Sequence, residues 1–123
     1  MASSSSTSST TSTSSVIGPT IVPSAIGMTY AGCYLEPPTG RALSGYVISD
    51  VSMTVPRCVD TCRERGFVFA GLEYEQECWC GNALAEETEG PMTKEEEGGR
   101  CGMPCGGDRG TLCGGPRALS VYH

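Results

Sequence analysis

The chain is poor in the side chains that carry catalysis. Its one histidine is His123, at the last position, and none of its eight cysteines can serve as a nucleophile if all are bridged. A carboxylate pair such as Glu73 and Glu77 has the chemistry of a glycosidase acid and nucleophile. That reaction needs a deep cleft, which a stapled domain of about ninety residues seldom supplies. The chain therefore reads as non-enzymatic and without a cofactor. Basic clusters are missing too. The formal charge is −6, and nine of the eleven glutamates fall between Glu73 and Glu97, where Lys94 is the only base. Phosphate neutralisation needs clustered Lys and Arg, so nucleic acid is not expected as a partner and anionic membranes are a poor one. The aspartate spacing of an EF-hand is absent, which leaves the acidic stretch as a solvated surface.

Long apolar runs are lacking as well. The most apolar stretch ahead of the cysteines, Val16 to Ile26, is interrupted by Pro19 and Pro23 and spans no membrane. Met1 leads straight into Ser and Thr, without the basic start and apolar stretch of a signal peptide. An extracellular cysteine framework without that address reads as an excised piece, with Met1 and Ala2 as vector residues. Asn82 is the only asparagine and is followed by Ala83 and Leu84, so no N-glycosylation sequon exists.

What is present divides in two. Ser3 to Ser15 is an unbroken Ser/Thr tract with too little apolar surface to offset the entropy of ordering. Residues 1–29 thus read as a disordered linker, or an O-glycosylated stalk. Residues 30–123 read as one small monomeric domain that holds Cys33, Cys58, Cys62, Cys78, Cys80, Cys101, Cys105 and Cys113. That density belongs to secreted disulfide scaffolds, in which four bridges at ~2 to 4 kcal/mol each supply much of the stability. Zinc is the competing use of so many thiols. The spacings here are not the x2 knuckles of zinc sites and no histidine ligand is available, so no metal is expected.

Local patterns predict the elements. Tyr30 to Leu35 reads as a first strand ended by Pro37 and Pro38, followed by a turn-rich region. Thr54 as N-cap, Pro56 in the first turn and Gly66 at the exit predict a helix over Val55 to Arg65. Val55, Cys58, Val59 and Cys62 then form one buried stripe. Phe67 to Tyr74, turning through Glu75 to Glu77 into Cys78 to Gly81, reads as a hairpin. Strand alternation puts Cys78 and Cys80 on one of its faces and Trp79 on the other. These faces favour bridges from helix to hairpin, although eight cysteines allow about 105 connectivities. Asn82 to Gly99 reads as a long mobile loop with a helical turn around Thr93 to Glu97, and the stretch from Cys101 to Gly115 as turns. Leu119 to Tyr122 reads as a closing strand.

An ordered set of motifs runs through this domain: Gly32-Cys-Tyr34, Arg41-Ala-Leu-Ser44, Met53-Thr54, Cys58-x3-Cys62, Ala70-Gly-Leu-Glu73, Glu77-Cys-Trp-Cys-Gly-Asn82, Pro104-Cys105, Gly107-Asp108 and Cys113-Gly-Gly115 with Leu119-Ser-Val-Tyr122. Together they resemble the WSC domain, the module of fungal cell-wall integrity sensors that also occurs in secreted oxidases and glucan-degrading enzymes. The resemblance implies a small disulfide-rich α+β fold similar to PAN/apple domains, a curved antiparallel sheet crossed by one helix. It implies the pairs Cys33 to Cys101, Cys58 to Cys78, Cys62 to Cys80 and Cys105 to Cys113. It also implies a secreted or cell-surface location and non-catalytic binding of a polysaccharide, above all β-1,3-glucan, with chitin and xylan as other candidates. Two departures stand out. Arg57 replaces the glutamate that would complete a capping box with Thr54, and the Ser/Thr tract precedes the module, whereas in the sensors it follows.

Sugar binding needs an exposed aromatic face and nearby amide or carboxylate groups. Trp79 is the only tryptophan, with Glu77 on the same side of its strand and Asn82 just beyond. Tyr34, Tyr46 and Tyr74 are further candidate platforms, and Asp108 is a candidate carboxylate. Each has a plainer reading: Trp79 and Tyr34 as cover for the core, Asp108 as a turn former. A protein-interaction or mechanosensory module is the alternative function.

Overall fold

The computed structural model of the chain describes residues 18–123. The Ser/Thr tract, with its expected disorder and glycosylation, lies outside them. The described residues form a small disulfide-rich α+β domain. Its six-stranded antiparallel sheet contains β1 (Ser24–Ala25), β2 (Met28–Leu35), β3 (Tyr46–Ser49), β4 (Phe69–Glu73), β5 (Glu77–Gly81) and β8 (Ala118–Tyr122), in the order β1-β2-β8-β4-β5-β3. A second, two-stranded sheet pairs β6 (Pro104–Cys105) with β7 (Asp108–Leu112). Two helices complete the fold, α1 (Val55–Glu64) and α2 (Lys94–Arg100).

Helix α1 forms for the reasons its sequence supplies. The Thr54 hydroxyl accepts from the Arg57 N–H at 3.2 Å, Pro56 sits in the first turn, and Gly66 leaves in the left-handed region at φ 86°. The helix ends at Glu64, with Arg65 as its C-cap. Its buried residues are Val55, Cys58, Val59 and Cys62. Against them the sheet presents Ala70, Leu72, Cys78, Cys80 and Tyr122, and this cluster is the main core. Cys58 joins Cys78 and Cys62 joins Cys80, so consecutive turns of the helix are tied to alternate residues of β5. Cys33 pairs with Cys101 and Cys105 with Cys113, and no cysteine is free.

The opposite face of the sheet carries a smaller cluster of Ala42, Leu43, Leu119 and Val121. Strand β8 is buried at every residue because both its faces are covered: Tyr122 packs toward α1, Leu119 and Val121 toward the loop after β2. That loop comes close because Gly71 lacks a side chain. A Cβ there would lie 2.7 Å from Leu119 Cδ2 and 3.0 Å from Leu43 Cδ1.

Several expectations need correction. Tyr46–Ser49, read within a turn-rich region, is an edge strand paired with β5. The Glu-rich segment holds a helix, α2, longer than the single turn expected. Thr93 and Glu96 form a reciprocal capping box at its start. The segment is also anchored to β2 through Leu35 with Glu89 and Cys33 with Met92. The stretch from Cys101 to Gly115 contains the β6/β7 hairpin. Residues 18–29 are part of the domain rather than of a linker. Thr20 bonds Gly110 and Leu112, Ser24–Ala25 pairs with β2, and the Tyr122 hydroxyl donates to the Val22 carbonyl at 2.7 Å. Val22 and Ala25 pack against the main core. Partners supplied by the fold, not local composition, order this strap.

Candidate functional site

Residues on the face away from α1 build the site. On β5, Trp79 lies between Val47 of β3 and Gly71 of β4, its Cα partners on either side. The ring is half-buried and packs against the Leu43 cluster. Its Nε1 donates to Glu77 Oε1 at 3.0 Å, and the Arg41 guanidinium stands 4.7 Å from the ring centroid. Val47 beside it is 45% exposed, so the apolar surface extends from the ring across the edge strand.

Arg41 is held from below. Glu36, its side chain fully buried, accepts from Arg41 Nη1 at 3.1 Å and from the Ala42 N–H at 2.8 Å. A second buried carboxyl, Glu73, places Oε1 4.0 Å from the same nitrogen. That Oε1 has no hydrogen-bond partner. Burial pushes the Glu73 carboxyl up, and the neighbouring carboxyls of Glu36 and Glu77 add to this, to about 9. Burial also pulls Glu36 upward. The hydrogen bonds it accepts from the Glu73 carboxyl, Ala42 and Arg41 outweigh that and leave it below the usual carboxylate range. Glu73 therefore carries a proton and donates it toward Glu36, and Glu36 carries the charge that Arg41 neutralises.

Of the residues expected to bind sugar, the structure brings Trp79 and Glu77 together. Tyr34 lies on the same face, half-buried against the same cluster. Tyr46 packs on the α1 side of the sheet, with the Arg65 guanidinium 3.9 Å from its ring centroid. Tyr74 is 53% exposed in the turn between β4 and β5. Asn82 is exposed, and its Oδ1 accepts from the Val68 N–H at 3.2 Å. Asp108 is exposed and closes a local turn by accepting from the Gly110 N–H at 3.2 Å. Sequence reasoning missed Glu36 and Arg41 and considered Glu73 only as a hydrolytic acid. Arg41 opens one of the motifs that carry the resemblance, but nothing in local spacing says that a glutamate ahead of two prolines will be buried.

The sulfurs of Cys58, Cys62 and Cys78 lie within 4.8 Å of one another, but each belongs to a disulfide and offers no thiolate to a metal. Among the described residues, Trp79 lines neither the concavity of about 370 Å³ beside Arg63 and Phe67 nor the one of about 570 Å³ beside Glu36 and Arg117. No described helix is long and apolar enough to cross a membrane.

The model of the WSC domain family matches residues 30–115. Among curated proteins, one named "Putative fungistatic metabolite" from Chaetomium globosum is 43% identical over 97 residues, covering 76% of this chain and 40% of that protein. A WSC domain-containing protein of Arthroderma benhamiae is 38% identical over 97 residues, covering 76% of this chain and 10% of that one. Xylosyltransferase oxt of Drosophila melanogaster is 37% identical over 51 residues, which are 41% of this chain and 6% of the enzyme. The chain thus spans less than half the length of each of these relatives.

Proposed function

The chain belongs to the WSC domain family, and from that premise we propose that it is a secreted, non-catalytic module that binds fungal cell-wall polysaccharide, above all β-1,3-glucan. The observation that carries this reading is the grouping of Trp79, Arg41 and Glu77 on one open face beside exposed Val47. A pyranose laid on such a surface offers its apolar side to the ring and edge strand and its hydroxyls to the flanking charges. Arg41 is suited to this because one of its five N–H donors is spent on Glu36 while its side chain stays 44% exposed. Glu77 has acceptor sites to spare after taking the indole N–H. A surface with exposed Arg41 and Val47 suits a chain ligand whose remaining residues stay in solvent.

The second reading, a protein-interaction or mechanosensory module, draws on edge strand β3, where Val47 and the following Val51 are 45% and 70% exposed. Sedimentation with insoluble β-1,3-glucan, chitin and xylan separates the two. Native protein is expected to pellet with glucan and the reduced protein to stay in solution. Failure of the native protein to pellet with any of the three removes the carbohydrate reading.

A further inference from the structure

Two carboxyl groups buried beneath one arginine are costly to keep, since three nearby carboxylates and a single guanidinium leave uncompensated negative charge in a region with little water. The charged and titratable groups facing Glu73 are Glu36 from the segment after β2, Arg41 from the following loop, and Glu77 opposite it on β5. On the other side β8 offers only Leu119. Glu36 is the carboxylate that grips Arg41, and Arg41 is the group that lies over Trp79. Glu73 touches neither the ring nor the exposed face. It reaches the site through Glu36 and Arg41 on one side and through Glu77, its cross-strand partner, on the other.

We propose that Glu73 is a positioning residue of the Trp79 face: its buried carboxyl, 4.0 Å from Arg41 Nη1, governs whether Glu36 holds that guanidinium against the indole ring. The inference deepens the carbohydrate reading and rests on it only for the meaning of the face, not for the linkage itself. When Glu73 ionises, two buried carboxylates compete for one guanidinium and repel each other and Glu77. The arrangement that relieves this draws Arg41 away from the ring. Stability carries the same signature. In the unfolded chain Glu73 ionises near the ordinary carboxylate value, whereas in the folded domain it holds its proton up to about 9. Its contribution is thus fully present below the ordinary value and is lost steadily as pH rises to about 9.

Because Trp79 is the only tryptophan, its emission reports on Arg41 without any ligand. The test titrates emission and thermal midpoint from pH 5 to about pH 10 in the wild-type chain and in Glu73→Gln, whose amide keeps a donor and cannot ionise. Tyrosine ionisation is common to both and cancels in the difference. The wild type is expected to show an emission step near pH 9 and a falling thermal midpoint between pH 5 and pH 9. Glu73→Gln should lack the step and hold its midpoint. Glu36→Gln, which removes the repelling charge and lets Glu73 pair with Arg41, should move the step at least one pH unit down even if Glu73→Gln does not fold. An unchanged step in either variant, or no step in the wild type, overturns the proposal. Absence of glucan binding at every pH would sink the carbohydrate reading, while the emission curves would still decide the role of Glu73.

Discussion

The two faces of the same sheet are built from different materials. Toward α1 the strands present Cys78, Cys80, Ala70, Leu72 and Tyr122, locked by two disulfides into a fully buried cluster. Away from it the intervening residues of the same strands are Glu73, Glu77 and Trp79, met by Glu36 and Arg41 from a loop. Strand alternation alone produces the division, because side chains two apart share a face and neighbours do not. One face can therefore be rigid and covalent while the other stays polar, partly open and titratable. The covalent face removes freedom from the strand that presents Trp79, which lowers the entropy cost of offering the ring to a ligand.

Breaking the covalent face has the largest expected effect. Removing the bridge between helix and hairpin in a Cys58→Ser, Cys78→Ser double variant should cost about 2 to 5 kcal/mol, read by denaturant titration. If the faces are as separate as the geometry indicates, the surviving folded fraction should keep its Trp79 emission. A loss under 0.5 kcal/mol by the same titration would show that apolar packing alone holds α1 to the sheet.

The strap ahead of β2 belongs to the covalent side, since Val22 and Ala25 lie on that core. A chain starting at Ser24 loses the two backbone bonds of Thr20, the Pro23 carbonyl that accepts from the Tyr30 N–H, and the acceptor of the buried Tyr122 hydroxyl, all of which a chain starting at Gly18 retains. Leaving the buried Tyr122 hydroxyl without its acceptor costs about 1 to 3 kcal/mol by itself, so the expected loss is about 2 kcal/mol. In a domain of this size that lowers the thermal midpoint by roughly 10 °C. Equal midpoints for the two chains would mean that the strap adds nothing.

These two regions also mark how far the sequence could be read. Helix α1 and the hairpin were legible because their signals are local: a cap at Thr54, a 3.6-residue cysteine stripe, alternation around Trp79. The pairing Cys58 to Cys78 and Cys62 to Cys80 followed from those faces together with the family resemblance. The strap was not legible, because a proline-broken stretch after a Ser/Thr tract becomes ordered through partners distant in sequence, Gly110, Leu112 and a tyrosine 100 residues away among them. Strand β3 is four residues long and gains its identity from pairing with β5. Glu36, Arg41 and Glu73 come together from a loop and a strand, and burial of a carboxyl has no local signature. Trp79 and Glu77 were found because an aromatic and an acid two apart on a strand must share a face.

On the open face, Trp79→Ala tests whether the ring is a platform. Glucan binding should fall at least tenfold, about 1.4 kcal/mol, by pull-down across a concentration series. Because the ring is half-buried, the stability loss should stay below the ~3 to 5 kcal/mol of a fully buried aromatic. A stable variant with unaltered binding would remove the ring from the site and leave the face to Tyr34 and Val47.

The smallest effect is expected from Glu77→Gln. The amide oxygen can still accept from Trp79 Nε1, so the ring should keep its place, and stability should change by no more than ~0.5 kcal/mol at this half-buried position. What disappears is charge. Hydrogen bonds to an ionised acceptor are roughly twice as strong as neutral ones, so a sugar hydroxyl paired with Glu77 should bind about threefold more weakly to the variant. Glu77 also raises Glu73 through its charge, and its neutralisation should move the alkaline emission step to lower pH. The two readouts come apart in a useful way. A shifted step with unchanged glucan binding would keep Glu77 in the carboxyl network and exclude it from the sugar face. Weaker binding with an unshifted step would do the reverse, and would place the boundary between the binding surface and its support at Arg41.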